Sequence, residues 1–279
     1  MAGKINTVFE RTEIKYLVPA QKAEAFRTAI LGHMQADDYG LTSICNIYYD
    51  TENSDLITRS LQMPKYKEKL RLRSYGVPGR DTIVFPEIKK KVNGIVYKRR
   101  EVLPLHEAEA FLNEGIYPEK DSQIMREIAY FTEHYHPVPK MFIAYDRVAY
   151  FGKEDHDFRL TMDTNIRYRT TDLTLSHGDY GVQLDIDGAS LVEIKCGHAM
   201  PMFMVKILSE LEIYPMSFSK YGKIFTEVYA KPAMSGAAAA REMPAYTPVR
   251  GVPAYAAAGA AAGAMYTPSP VRAGLKGKA

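Results

Sequence analysis

The chain has 279 residues, 46% hydrophobic and 25% charged, with a formal net charge of +3. This is enough apolar material for a sizeable core in one large domain or two small ones, and it excludes a wholly unfolded chain. No apolar run approaches the ~18 residues of a membrane-spanning helix. Met1–Glu10 lacks the apolar stretch of an export signal. Cys45 and Cys196, far apart, are then expected to be reduced core thiols in a cytoplasmic protein.

Strand one is expected from Val8 to Val18, with Arg11, Glu13 and Lys15 alternating with Thr12, Ile14 and Tyr16. Pro19 opens a helix carrying Phe26, Ile30 and Met34. Strands follow at Ser43–Asp50 and Tyr66–Tyr75, then a turn at Gly76-Val77-Pro78-Gly79. Asn93-Gly94 predicts a two-residue hairpin, which fixes register. Val92 then faces Ile95, Lys89 faces Lys98 and Glu87 faces Arg100, all but the first pair projecting together. Helices are expected at His106–Asn113 and Asp121–Tyr135, the second with Ile124, Ile128, Phe131 and Tyr135 on one face. Strands resume at Met141–Phe151, Phe158–Tyr168, Val182–Asp187 and Leu191–Cys196. A helix with Phe203, Ile207 and Leu211 follows Pro201, and a last one runs from Ser217 to Tyr229.

From Pro232 onward Ala, Gly and Pro dominate, and the stretch reads as a flexible tail, leaving residues 1–231 as one folded unit. The tail has five basic residues against Glu242 alone, hence +4, so residues 1–231 carry about −1. Bulk charge therefore predicts no polyanion ligand; only the placement of charge does.

That placement is unusual. Lys69, Arg71 and Arg73 share one strand face, as do Glu193 and Lys195. Arg147 lies beside Tyr145 on a common face, and Arg159 alternates with buried-type residues. Three same-face cations repel unless solvated or paired. Lys89 opposite Lys98 needs an anion or a carboxylate to compensate. Cations on the polar face of so many strands suggest a sheet closed around a basic lumen. Such a lumen suits phosphoryl transfer, which needs charge neutralisation more than a protein nucleophile. Glu193 is the first candidate for a divalent metal, ahead of Glu13 and Glu87, whose simpler role is to neutralise neighbours. No Walker loop, dinucleotide fingerprint, zinc spacing or hydrolytic triad is present. A basic edge strand or a surface salt-bridge ladder remains the plainer reading of any single stretch.

Nine motifs occur in order: Arg11-x-Glu13-x-Lys15-Tyr16, Tyr48-Tyr49-Asp50-Thr51, Arg71-x-Arg73-x-Tyr75, Glu87-Ile88-Lys89-Lys90, Lys98-Arg99-Arg100, Tyr145-x-Arg147, Arg159-x-Thr161-x-Asp163, Leu191-Val192-Glu193-Ile194-Lys195 and Phe218-Ser219-Lys220-Tyr221. Over about residues 7–229 the chain resembles the polyphosphate polymerase domain of the vacuolar transporter chaperone (VTC) family, within the triphosphate tunnel metalloenzymes. The resemblance implies an α+β fold, an antiparallel eight-stranded tunnel barrel with helices outside. It implies transfer of the ATP γ-phosphate onto inorganic polyphosphate, with ADP released. Lys15, Arg71, Arg73, Lys89, Arg147 and Arg159 would be catalytic; Lys98, Arg100, Tyr145, Lys195, Ser219 and Lys220 would bind substrate; Glu193 would ligate Mn²⁺ or Mg²⁺. Tunnel triphosphatases show Glu-x-Glu-x-Lys in strand one, and Arg11 replaces the first Glu, which suits the polymerase branch. The family's membrane segments are not seen, so a stand-alone soluble form is expected, with a membrane partner as an option. The alternatives are a tunnel triphosphatase and a polyphosphate or inositol-phosphate binding module. Nucleic acid is not expected, since the strands lack an aromatic stacking pattern and the folded unit has no net positive charge.

Overall fold

The computed structural model describes residues 12–230 except positions 94 and 198. The expected tail, Arg11 and the start of strand one lie outside these residues. The elements in order are β1 (Thr12–Val18), α1 (Ala20–Leu31), β2 (Met34–Ala36), β3 (Thr42–Asp50), α2 (Asp55–Leu61), β4 (Tyr66–Tyr75), β5 (Ile83–Val92), β6 (Ile95–Arg100) and β7 (Leu103–Pro104). Then come α3 (Leu105–Glu109) with a π-helical turn (Ala110–Glu114), α4 (Gln123–Tyr135), β8 (Val138–Gly152), β9 (Arg159–Arg169), β10 (Val182–Gln183), β11 (Ser190–Cys196), α5 (Met202–Glu210), and α6 (Lys220–Phe225) with a second π-helical turn (Thr226–Ala230). No described helix is long and apolar enough to cross a membrane.

The eleven strands form one antiparallel sheet along the path β1-β11-β9-β8-β3-β4-β5-β6, with β2, β7 and β10 attached beside it. The expected closed eight-stranded barrel is therefore wrong: β1 and β6 end the path and do not pair. β6 is exposed along its whole length. Pairing it with β1 would bring Lys98 and Arg100 up against Lys15, and like charges across a ladder oppose pairing. The sheet is an open cup rather than a tube.

Three apolar clusters hold it. Outside β3, β4 and β5, residues such as Ile47, Leu70, Leu72 and Ile88 pack under Phe111 and under Met125, Ile128 and Phe131 of α4. Ser122 caps α4 by accepting from Met125 N at 3.1 Å, and His136 ends it in the left-handed region at φ 45°. Outside β1, β9 and β11, the faces Tyr16/Val18, Leu160/Met162 and Val192/Ile194 pack against Phe26 and Ile30 of α1 and Met204 and Ile207 of α5. Met34 is fully buried there but belongs to β2, not to the first helix: Gly32 ends the helix and the chain then pairs with β8. Cys45 and Cys196 are buried free thiols in these layers. The third cluster lies inside the cup. Ile57 of α2 and Tyr221 and Ile224 of α6 pack on Tyr48, Ile143, Tyr145 and Leu191. The interior is thus part apolar plug and part charged chamber, where a wholly basic lumen was expected. Of the strand expected at Val182–Asp187, only two residues pair.

Candidate functional site

The hairpin delivers the expected register: Val92 opposite Ile95, Lys89 opposite Lys98, Glu87 opposite Arg100. Asn93 has φ 48°, the left-handed turn conformation that this residue tolerates. β4 adds a third strand to each row, Lys69 opposite Lys89 and Arg71 opposite Glu87. The result is a row of three lysines beside a row of arginine, glutamate and arginine.

Glu87 is the counter-charge of this wall and is 2% exposed. Arg71 donates to its Oε2 from Nε at 2.7 Å, with Nη2 at 2.6 Å. Lys98 Nζ stands 2.9 Å from Oε1, Arg100 3.8 Å from it, and Arg73 Nε 4.0 Å from Oε2. Lys98 is thus the nearest partner of Oε1, with Arg100 behind it. Burial alone would raise the Glu87 carboxyl, but Arg71, Arg73 and Lys98 outweigh it and hold it at about 2. Arg73 is fixed from the other side. Its Nε donates to Asn46 Oδ1 at 2.9 Å and Nη2 to the Tyr145 hydroxyl at 3.1 Å. Asn46 is fully buried and donates to the Ile143 carbonyl. Arg71 Nη1 donates to the Tyr48 hydroxyl at 3.2 Å. Burial opposes ionisation of Tyr48, yet Arg71, then Arg73 and Lys69, bring it down to about 8.

The facing wall is built on two carboxylates. Asp163 of β9 is fully buried and accepts both Nε and Nη2 of Arg147, at 2.5 and 2.7 Å. Lys220 Nζ donates to its Oδ2 at 2.5 Å. Glu193 lies 3.3 Å from Lys15 Nζ and 3.8 Å from both Lys220 and Arg147. Burial opposes ionisation here too, but Lys220, Lys15 and Arg147 hold Glu193 far below the ordinary carboxylate range. Lys220 also sits over the Tyr145 ring, 4.2 Å from its centroid, with Arg147 at 5.2 Å.

The start of α6 ties both walls together. Ser219 caps it, accepting from Gly222 N at 3.2 Å, and the same oxygen lies 3.2 Å from Lys69 Nζ, which donates to it. Lys15 Nζ donates to the Phe218 carbonyl. Burial lowers Lys69 to about 8; burial aided by Arg71 and Arg73 brings Lys98 to about 8 against the pull of Glu87. Lys89, also lowered by burial, still faces solvent because the cup is open, and it feels Glu13 and Glu193 across the gap.

Lys15, Arg71, Arg73, Lys89, Lys98, Arg100, Tyr145, Arg147, Glu193, Ser219 and Lys220 therefore line one chamber. Lys195 joins at its rim, half-buried, and its charge acts on Glu193. Arg159 is exposed, opposite Lys195 in the ladder, and among the described residues it forms no hydrogen bond or ion pair with the chamber residues. Three further chamber residues were visible in the sequence without a site role: Lys69 shares the face of Arg71 and Arg73, and Tyr48 and Asp163 fall in the ordered motifs. Nothing in the pattern marked Asn46, which reads as an ordinary strand residue.

No group of three or more His, Cys, Asp or Glu side chains among the described residues is placed to cage a metal. A cation bridging phosphates needs only one or two carboxylates, with phosphate supplying other oxygens. Glu193 and Glu13 offer that pair, flanking the Lys15 ammonium at 3.3 and 3.5 Å. Asp163 is committed to Arg147 and Lys220 and contributes nothing to the donor set.

The family model of the VTC domain matches residues 10–229, and the chain belongs to that family. No curated protein matches it. Among solved structures, a candidate adenylyl cyclase from Hippeastrum, described as having a dominant triphosphatase activity, is 16% identical with a TM-score of 0.47, covering 77% of this chain and 95% of its own. A candidate adenylate cyclase from Bacillus halodurans is 14% identical with a TM-score of 0.45, covering 74% and 92%. One from Vibrio parahaemolyticus is 13% identical with a TM-score of 0.41, covering 77% and 97%.

Proposed function

We propose that this chain is an ATP-dependent polyphosphate polymerase. The observation that carries the reading is the crowding of Lys15, Lys69, Arg71, Arg73, Lys89, Lys98, Arg147 and Lys220 into one chamber with few carboxylates, in a chain of the VTC domain family. The γ-phosphorus would lose its bond to the bridging oxygen of ADP and gain one to a terminal oxygen of the growing chain. That acceptor oxygen is already anionic and needs no general base. Water as acceptor benefits from one, and here the carboxylates are poor bases: Glu87 sits at about 2, and Glu193 and Asp163 are held down by their cations. This favours phosphate over water as acceptor.

Arg71 and Arg73 present guanidinium forks held by Glu87, Tyr48, Asn46 and Tyr145, so little orientation is left to be fixed on binding. Lys69, Lys89 and Lys98 would add point charge along the chain, and Arg147 and Lys220 would face it from the other wall. Glu193, with Glu13 beside it, would hold Mn²⁺ or Mg²⁺, which when bound neutralises phosphate oxygens. Lys195 and Arg159, at the rim, would meet the nucleotide or the polymer first.

The test is product analysis after incubation with ATP and Mn²⁺. Long polyphosphate and ADP are expected; orthophosphate as the sole phosphate product would overturn the reading in favour of a hydrolase. Arg71→Ala should abolish chain growth while the chain stays folded by circular dichroism, with a melting temperature about 5–10 °C below the parent because buried Glu87 loses its nearest cation.

A further inference from the structure

Opposed lysines continue beyond the residues already placed. Lys67 on β4 stands opposite Lys91 on β5, one row past Lys69 and Lys89. Both belong to the inner face. Glu68 and Lys90, which alternate with them, lie 4.0 Å apart, and Glu68 accepts from Tyr135 of α4 on the outside. Like charges directly opposite one another weaken a sheet, and here two successive rows do so.

The other chamber cations are compensated: Arg71, Arg73, Lys98 and Arg100 by Glu87, and Lys15, Arg147 and Lys220 by Glu193 and Asp163. Among the described residues, no carboxylate forms an ion pair with Lys67, Lys69, Lys89 or Lys91. The polar partner of Lys67 is the Ser60 carbonyl at the C-terminal end of α2, 3.4 Å away. Burial and then the charge of Lys91 draw Lys67 below the usual lysine range. Four lysines in two adjoining rows without a carboxylate in ion-pair contact, Lys89 feeling Glu13 and Glu193 only at a distance, are a standing cost that a bound polyanion would remove.

We propose that Lys67 and Lys91, continuing from Lys69 and Lys89, form a subsite for a further stretch of an inorganic polyphosphate chain. Lys67 lies four residues from Arg71, the nearer of the two arginines, about 13 Å at strand rise, and six from Arg73. A triphosphate held on Arg71 and Arg73 is too short to reach it. The subsite therefore reads chain length. The inference rests on the polyphosphate reading of the chamber but is tested by binding rather than turnover. A chain that binds long polyphosphate at this ladder without making it would refute the polymerase reading alone.

The experiment compares affinities of the full chain and the double variant K67Q/K91Q for long-chain polyphosphate and for tripolyphosphate. The double variant should lose about tenfold in affinity for the long chain, and the slope of log affinity against log salt should fall by about 1 per lysine removed. Tripolyphosphate affinity should not change, and K67R/K91R should restore long-chain binding. An equal loss for both ligands, or no loss for the long chain, overturns the proposal. So does an equal loss of affinity for a single-stranded oligonucleotide, which would mark an unselective cationic patch. Should K67Q/K91Q fail to fold, K91Q alone carries the same comparison with half the slope change.

Discussion

Glu87 shows how much one carboxylate decides at the scale of a residue. It is buried, faces Arg71, Arg73, Lys98 and Arg100, and titrates at about 2 against an ordinary 4.5. A carboxyl depressed in the folded state stabilises fully above its unfolded value. That contribution is lost as pH falls through the folded one. Glu87→Gln should therefore cost about 2–3 kcal/mol at neutral pH, since it leaves the Arg71 guanidinium without its partner. The difference from the parent, measured by urea unfolding, should stay constant above about pH 5 and shrink between about pH 4.5 and 2. A difference that persists unchanged to pH 2 would show that shape rather than charge is what Glu87 supplies. Lys69, Arg71 and Arg73 were legible in the sequence because strict alternation exposes a face. Asn46 was not, because its neighbours Cys45 and Ile47 make it look like one polar residue in an apolar strand. Only the approach of β4 and β8 gives it Arg73 and the Ile143 carbonyl as partners.

Elements show where alternation misleads. A regular strand over the expected Phe158–Tyr168 would aim Arg159, Asp163 and Arg167 at the same face. Between Ala144 and Asp146 of β8 the partner on β9 moves from Arg167 to Thr164, three residues against two. This bulge, with Asn165 at φ 49°, reverses the faces beyond Asp163. Asp163 stays inside, while Ile166 joins the inner apolar plug. Arg167 turns out to Asp146 and Asp179, and Arg169 stacks on Phe142 and holds the carbonyls of Asp172, Thr174, Gly178 and Tyr180. The same scale separates two caps of equal strength. Ser122 caps α4 on the outside, and Ser219 caps α6 inside the cup while bonding Lys69. Ser122→Ala and Ser219→Ala should each cost about 1 kcal/mol. Only Ser219→Ala should weaken tripolyphosphate binding, as measured by calorimetry. Equal weakening by both would trace the effect to stability and not to Lys69.

At the scale of the whole molecule, a chamber in which cations outnumber carboxylates makes the fold responsive to anions. Tripolyphosphate at 100 times its Kd should add about 2.7 kcal/mol of stability. For a folded unit of this size that is a rise of about 5–10 °C in Tm, seen by scanning calorimetry. The rise should diminish with added salt, because the chamber opens to solvent and its charges are screened. A Tm indifferent to tripolyphosphate at low salt would argue against the chamber as an anion site.

By itself the sequence determined the antiparallel strand-rich class, the outer helices, the β5–β6 register and the family, because period-two alternation, helical spacing, a turn dipeptide and ordered motifs are all local signals. Tertiary structure alone decided that β1 and β6 stay apart, that α2 and α6 plug one part of the interior, and which carboxylate answers which cation. Those outcomes depend on strands far apart in the chain meeting face to face. Charge repulsion, burial and hydrogen-bond satisfaction are settled there between partners that no local pattern names.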